Sequence, residues 1–250
     1  MNLQQPGNLR SWAWCLLLIG ACSGCQHRQA AESLTQAGSD SGEPEVAETW
    51  IQLQPGLVIS PSKGEVVMDA EICLRDGWLE QVVCSPGTRE HESIMVTRLK
   101  ASAIHAALLA AGFEPGRPGR WQWEGAAVSL EPPEGSALDI LVTRAGEEDW
   151  GPVAEWITDA EGRSPVGYWV FGGSAMRDAS SVPAGVSLYE ADLSGSVIGL
   201  VTFGDETLGF NKVIPDEVAA SPEEWRVRSK VVPEVGTAVK VRIRLRSGSG

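Results

Sequence analysis

Residues 65–84 read EVVMDAEICLRDGWLEQVVC, and the fold follows from how this stretch is taken. Two apolar runs, Glu65–Leu74 and Trp78–Cys84, are joined by Arg75-Asp76-Gly77. Asp-Gly between such runs is a strong hairpin signal, because it supplies the positive φ that a tight turn needs. The stretch therefore predicts two antiparallel strands and a β-rich domain. Its register also bears on Cys73 and Cys84. With Arg75 opposite Trp78, Cys73 faces Glu80 and Cys84 faces Asp69. The two sulfurs then share a face but stand about 13 Å apart at strand rise. A disulfide needs Cα atoms within about 7 Å. That register predicts two separate thiols, unless the hairpin slips or bulges. Buried structural cysteines, a disulfide, and a metal or redox role all stay open.

Working outward, short apolar segments separated by Gly, Pro and Asp continue the pattern. Strands are expected at Leu57–Ser60, Ser93–Val96, Ala137–Arg144, Gly167–Gly172, Val186–Ala191, Ser196–Phe203 and Thr237–Arg246. One segment is helical, about Lys100 to Ala111. Ala101, Ile104, Ala107, Leu108 and Ala111 recur at helical spacing, and Gly112 and Pro115 end the run. A short helix is expected at Val153–Thr158. Many strands with one good helix indicate an α+β class, here a single mainly-β domain with one well-defined helix packed on a sheet.

Upstream, Arg10 precedes the apolar run 12–21, which ends Ile19-Gly20-Ala21-Cys22. An apolar residue, two small residues and a cysteine is what a lipoprotein signal peptidase cuts. The run is too short to span a bilayer stably. The single cation and Cys25 leave an ordinary cleaved signal and a second modification site as alternatives; Cys22 is the expected lipidation site. The division is then a signal at 1–21, a disordered tether at 22–48, a domain at 49–246 and a frayed tail at 247–250. The tether is rich in Ser, Gly, Gln, Ala and acids and would span roughly 25–30 Å as a flexible coil. The expected location is the cell envelope, periplasmic or surface-facing, with a lipid anchor holding the protein to a membrane. A formal charge of −13 argues against nucleic acid and against broad adhesion to anionic lipid.

Three features hold chemical potential. Gly87-Thr88-Arg89-Glu90-His91-Glu92-Ser93 is the densest polar cluster. With Cys84, and Cys73 beside it, Glu90, His91, Glu92 and Ser93 form a candidate ligand or metal site for a transition-metal ion. The spacing matches no zinc motif, and there is no Gly-x-Ser-x-Gly elbow for hydrolysis. A polar network tying a loop to the sheet is the plainer reading, with no cofactor and no catalytic residue. Second, the chain has ten tryptophans. Trp121 and Trp123 are candidates for stacking on a glycan if their Gly/Pro-rich segment is extended; otherwise they pack. Third, Lys240, Arg242, Arg244 and Arg246 alternate with Val239, Val241, Ile243 and Leu245. Such a basic ladder is edge protection or a dock for an anionic glycan or partner. His105 sits beside the helix's apolar stripe and reads as a core-edge residue.

The runs CLRDGWLEQVVCSPGTREHESIMV, AIHAALLAAGFEPG and AEWITDAEGRSPVGYWVFGGS resemble the YdjY-domain family. The resemblance covers about Glu65 to Phe203 and more weakly to Arg246. It implies an exported bacterial protein, of a kind numerous in planctomycetes and often lipid-anchored. No activity comes with it, so it transfers no catalytic role. The pattern matches at Cys73, Glu80, Cys84, Gly87, Thr88, Glu90, His91, Glu92, Ser93, His105, Trp156, Trp169, Gly172 and Ser174. It departs at Gly199–Gly204, where the family commonly carries Cys and Asn, and at Asp205–Pro215. The expected function is a lipid-anchored binding or structural module. The alternatives are a metal or redox protein using Cys84 and His91, and a glycan-binding module.

Overall fold

The computed structural model describes residues 49–247, except 179, 181, 182, 184, 185, 222 and 223. The signal, Cys22 and the tether lie outside the described residues. The first strands in chain order are β1 (Ile51–Gln54), β2 (Leu57–Ser60), β3 (Glu65–Ile72), β4 (Trp78–Leu79), β5 (Gln81–Cys84) and β6 (Ser93–Val96). Helix α1 (Ala101–Ala110) follows, then β7 (Pro115–Arg117), β8 (Arg120–Glu124), β9 (Ala127–Glu131), β10 (Glu134–Gly135), β11 (Ala137–Arg144) and β12 (Gly151–Pro152). The remainder is β13 (Ile157–Thr158), β14 (Trp169–Val170), helix α2 (Glu190–Ser194), β15 (Ser196–Gly199), β16 (Gly209–Phe210), β17 (Trp225–Val227) and β18 (Ala238–Leu245). The result is a mainly-β domain with few helices.

The main sheet runs β15-β5-β6-β3-β18-β11-β14-β16, with β1 and β2 attached through β3 and β12 beside β11. β3 and β18 pair along Glu65–Glu71, antiparallel, and β18 and β11 along Leu138–Arg144. The alternation in β18 settles its faces: Val239, Val241 and Ile243 are buried while Lys240, Arg242 and Arg244 point out. Helix α1 packs on β2 and β3 through Ala101, Ile104, Ala107 and Leu108, all fully buried. Lys100 offers no side-chain cap. Instead, Asp192 of α2 accepts from Ser102 N at 2.8 Å and Ser102 Oγ at 2.7 Å. Those bonds satisfy a free donor of the helix start and place an acid at its positive end.

The hairpin expected across Asp76-Gly77 does not form. Where β5 was expected to lie against β3, β6 comes between them, antiparallel to β3 at Glu71 and Ile72 and parallel to β5. The second strand also breaks at Glu80: Trp78 and Leu79 pair with β17 in a separate three-stranded sheet. The physical reason is burial. All four residues of β5 are buried, which makes it an interior strand with both faces covered, whereas a hairpin arm with one wet face would alternate. Three other expectations change. Val186–Ala191 is no strand, and its end enters α2. Val153–Trp156 is a 3₁₀ turn leading into β13. The Trp121–Trp123 segment is not a loop but one arm of the β8–β9 hairpin.

Candidate functional site

The parallel pairing of β5 and β6 dictates the site. Parallel neighbours usually need a crossover of a dozen or more residues. Here residues 85–92 make it; the Arg89 backbone N–H reaches back to Cys84, which is completely sealed from solvent. Gly87 turns the chain at φ 78°. Its N–H donates to Glu90 Oε1 at 2.6 Å, and Thr88 Oγ1 donates to Ser85 O at 2.6 Å. Glu90–Glu92 is a 3₁₀ turn that delivers the chain to Ser93. The polar cluster singled out in the sequence is therefore a cover, held by its own hydrogen bonds.

Beside that cover two thiols couple. Beyond β3 the chain curls over β6: Cys73 N and Leu74 N both donate to Ile94 O. The partly exposed Cys73 thiol donates to the Ser93 carbonyl oxygen at 3.1 Å and lies close enough to Cys84 for the two thiols to couple. Both cysteines are free. The separation of about 13 Å expected from the hairpin register fails with the hairpin itself. The hydrogen bond to Cys73 is the main reason the Cys84 thiol is pushed down to about 7. Burial opposes that shift, while the Ser93 hydroxyl and the Arg89 backbone N–H add to it. Cys73 moves far the other way, first through the same contact with Cys84, then through burial and the negative charges of Cys84 and Glu90. The pair therefore gives up one proton readily and keeps the other.

A second coupled pair borders the cover. Glu80 and Glu92 flank Arg89, whose Nη1 lies 3.3 Å and 3.5 Å from their oxygens. Burial first, and then the hydrogen bond with Glu92, push Glu80 up to about 7. The Arg89 guanidinium also sits 3.7 Å from the Phe203 ring centroid. Leu200 N and Val201 N donate to the Glu80 carbonyl oxygen. The segment that departs from the family pattern, 199–204, thus abuts the charged end of the site. Its loop is held from inside by the buried Glu206, which accepts from Phe203 N and Gly204 N and is pushed up to about 7 by burial.

The other sequence candidates are placed differently. The His91 side chain is 76% exposed, with Nε2 3.6 Å from Glu92 Oε2. Among the described residues no group of three or more His, Cys, Asp or Glu is arranged to hold a metal ion. Ser93 is buried, with its hydroxyl 2.9 Å from Met95 O and beside the Cys84 thiol. Trp121 and Trp123 do share one side of extended β8. Trp121 is half-buried with Nε1 on Thr202 O, and Trp123, 45% exposed, donates to Glu217. Only Trp123 is exposed.

His105 belongs to a separate network that the sequence did not reveal. Its Nδ1 lies 3.0 Å from Tyr189 Oη, which also donates to Gly173 O and meets Thr207 Oγ1 at 3.2 Å. Phe171 and Tyr189 approach the imidazole edge-on. Ser174 adopts φ 56°, rare for a residue other than glycine; its hydroxyl donates to Asp205 O and accepts from Ala191 N. Trp169 Nε1 donates to Gly199 O, tying this segment to β15. No sequence spacing links Tyr189 or Thr207 to His105.

A family model for the YdjY domain matches residues 57–244, most of the chain. No curated protein and no solved structure matches it. The chain belongs to the YdjY-domain family.

Proposed function

We propose that this YdjY-domain chain is an exported, lipid-anchored envelope protein whose domain serves as a thiol–disulfide module, with Cys73 and Cys84 as the reacting pair. The observation that carries the reading is a pair of free cysteines close enough to couple electrostatically beside a short crossover, Cys84 fully buried and Cys73 partly exposed. The N-terminal signal ending at Cys22 supports delivery to an oxidising compartment, where such pairs are used.

The chemistry needs an external disulfide, RS–SR, as oxidant. Cys84, the more acidic sulfur, is the base that takes the Cys73 proton. The exposed Cys73 sulfur attacks RS–SR, a Cys73–SR bond forms, and RS⁻ leaves, taking the proton from Cys84 and restoring its thiolate. The Cys84 thiolate then attacks Cys73 Sγ and displaces the second RS⁻. Two electrons pass from the dithiol to the external disulfide, whose halves leave as two RSH, the second protonated by solvent. Closing the bond requires Cα atoms within about 7 Å.

The test is incubation of the full chain with oxidised glutathione, followed by alkylation and peptide mapping. The expected product links the Cys73 and Cys84 peptides, while Cys73→Ala leaves Cys84 unmodified and Cys84→Ala stops at a glutathione adduct on Cys73. Both cysteines still alkylatable after denaturation would leave a structural or binding module instead.

A further inference from the structure

A groove of about 430 Å³ lies on the outer face of β3, beside the thiol pair. Alternation places it there: Asp69 and Glu71 are exposed, Ala70 and Ile72 are buried, and Cys73 follows in phase, partly exposed. The Cys73 N–H still donates to Ile94 O, so the pairing with β6 extends to that residue. Glu71 lines the groove, and two residues of strand rise set its Cα about 7 Å from that of Cys73. Pro86 and Glu90 of the crossover also line it, and the Glu90 charge acts on both cysteines. Pro55, Val96 and Leu99 supply apolar wall. Of the charged groups, Asp69 is answered by Lys240 at 2.8 Å. Glu71 is exposed and has no ion pair among the described residues. Glu90 accepts from the Gly87 N–H, a bond that holds its carboxyl below the usual carboxylate range. Among the described residues of the lining Arg98 is the one cation, so these two carboxylates face a single guanidinium.

We infer that this groove seats an extended basic polypeptide carrying the disulfide exchanged at Cys73, with a Lys or Arg two residues from its cysteine set against Glu71. The inference rests on the dithiol reading and names its substrate class. Register supports it: in an extended chain, residues two apart share a face and repeat at the same rise, so a partner sulfur at Cys73 brings a side chain to Glu71. The excess negative charge of the groove, on a chain of formal charge −13, attracts a cationic segment and repels an acidic one. The apolar wall suits the aliphatic stem of a Lys or Arg whose head reaches a carboxylate. The volume is that of a small-ligand site, room for a few residues rather than a folded domain.

The probes are three capped peptide disulfides, the dimers of Lys-Ala-Cys-Ala-Lys, Gln-Ala-Cys-Ala-Gln and Glu-Ala-Cys-Ala-Glu. Each is mixed with the full chain at low salt, and the Cys73–Cys84 bond is followed by quenched alkylation. The lysine disulfide is expected to form it about tenfold faster than the glutamine one, the glutamate disulfide slowest, with the spread closing as salt is added. Glu71→Gln should remove most of the lysine advantage and leave the glutamine rate as it was. Glu147→Gln, whose carboxylate pairs with Arg144 outside the groove, should keep the advantage. Equal rates for lysine and glutamine peptides would overturn the inference and leave the dithiol reading standing. So would a lysine advantage undiminished in Glu71→Gln, since general charge attraction would then account for it. Failure of all three disulfides to join the cysteines would remove the dithiol reading, and this inference with it.

Discussion

The cluster around Tyr189 and the cluster around Cys84 are both largely buried and both polar, yet they hold their protons differently. At Tyr189 the groups are neutral and matched: an imidazole nitrogen, a phenol, a hydroxyl and a carbonyl oxygen satisfy one another. Burial pushes the phenol up to about 12, which keeps it protonated. At Cys84 two acidic sulfurs share a site, so stabilising one thiolate forces its neighbour to keep its proton. A matched network fixes a fold; a mismatched pair stores reactivity.

Tyr189→Phe gives the largest effect expected from breaking the comparison. It strands His105 Nδ1 and Thr207 Oγ1, and should cost about 1–3 kcal/mol in urea unfolding. A loss no greater than that of a surface substitution would mean the network is not a matched unit.

Cys73→Ala sharpens the comparison from the other side. Cys84 is depressed from 9.0 to about 7, so the stability it contributes is fully present above 9.0 and is lost as pH falls through 7. Cys73 is raised above 9.0, so its contribution is present below 9.0 and is lost as pH rises beyond it. Together they make stability climb from about pH 7 to a local maximum near pH 9.0 and fall beyond it. In Cys73→Ala that maximum should flatten, and the pH midpoint for Cys84 alkylation, measured under local opening, should rise toward the ordinary thiol range. An unchanged midpoint would remove the coupling.

The smallest effect is predicted for His91→Ala. The ring is exposed and holds only Glu92, so stability should change by no more than about 0.5 kcal/mol and disulfide formation should proceed at the parental rate. A marked fall in either would return His91 to the site.

Much of the frame was legible in sequence. Leu57–Ser60, Ser93–Val96 and Ala137–Arg144 stand at the expected bounds, and α1 lies within one residue of its own. These segments have clear apolar periodicity and clear stops. The expected hairpin was not borne out, because Asp-Gly describes a turn and says nothing about which strand later slots in beside it. The β8–β9 hairpin was missed because Arg120–Glu124 is largely exposed and carries no apolar alternation strong enough to declare a strand. For the candidate site, the sequence already isolated Cys73, Cys84 and the stretch 87–93. It left the polar residues either as a network tying a loop to the sheet or as candidate ligands, because spacing along the chain does not say how the crossover packs.

The sequence by itself determined a mainly-β chain with one helix, an acidic surface and a YdjY-type pattern, because composition and local period are properties of neighbouring residues. The tertiary structure alone decided that Cys73 comes close enough to Cys84 to couple with it, that His105 bonds Tyr189, and that Arg242 and Arg244 of β18, with Arg246 just beyond it, line a cavity with Trp150 and Tyr168. Each of those contacts depends on strand order, and strand order is settled by which apolar faces find cover only once the whole chain has packed.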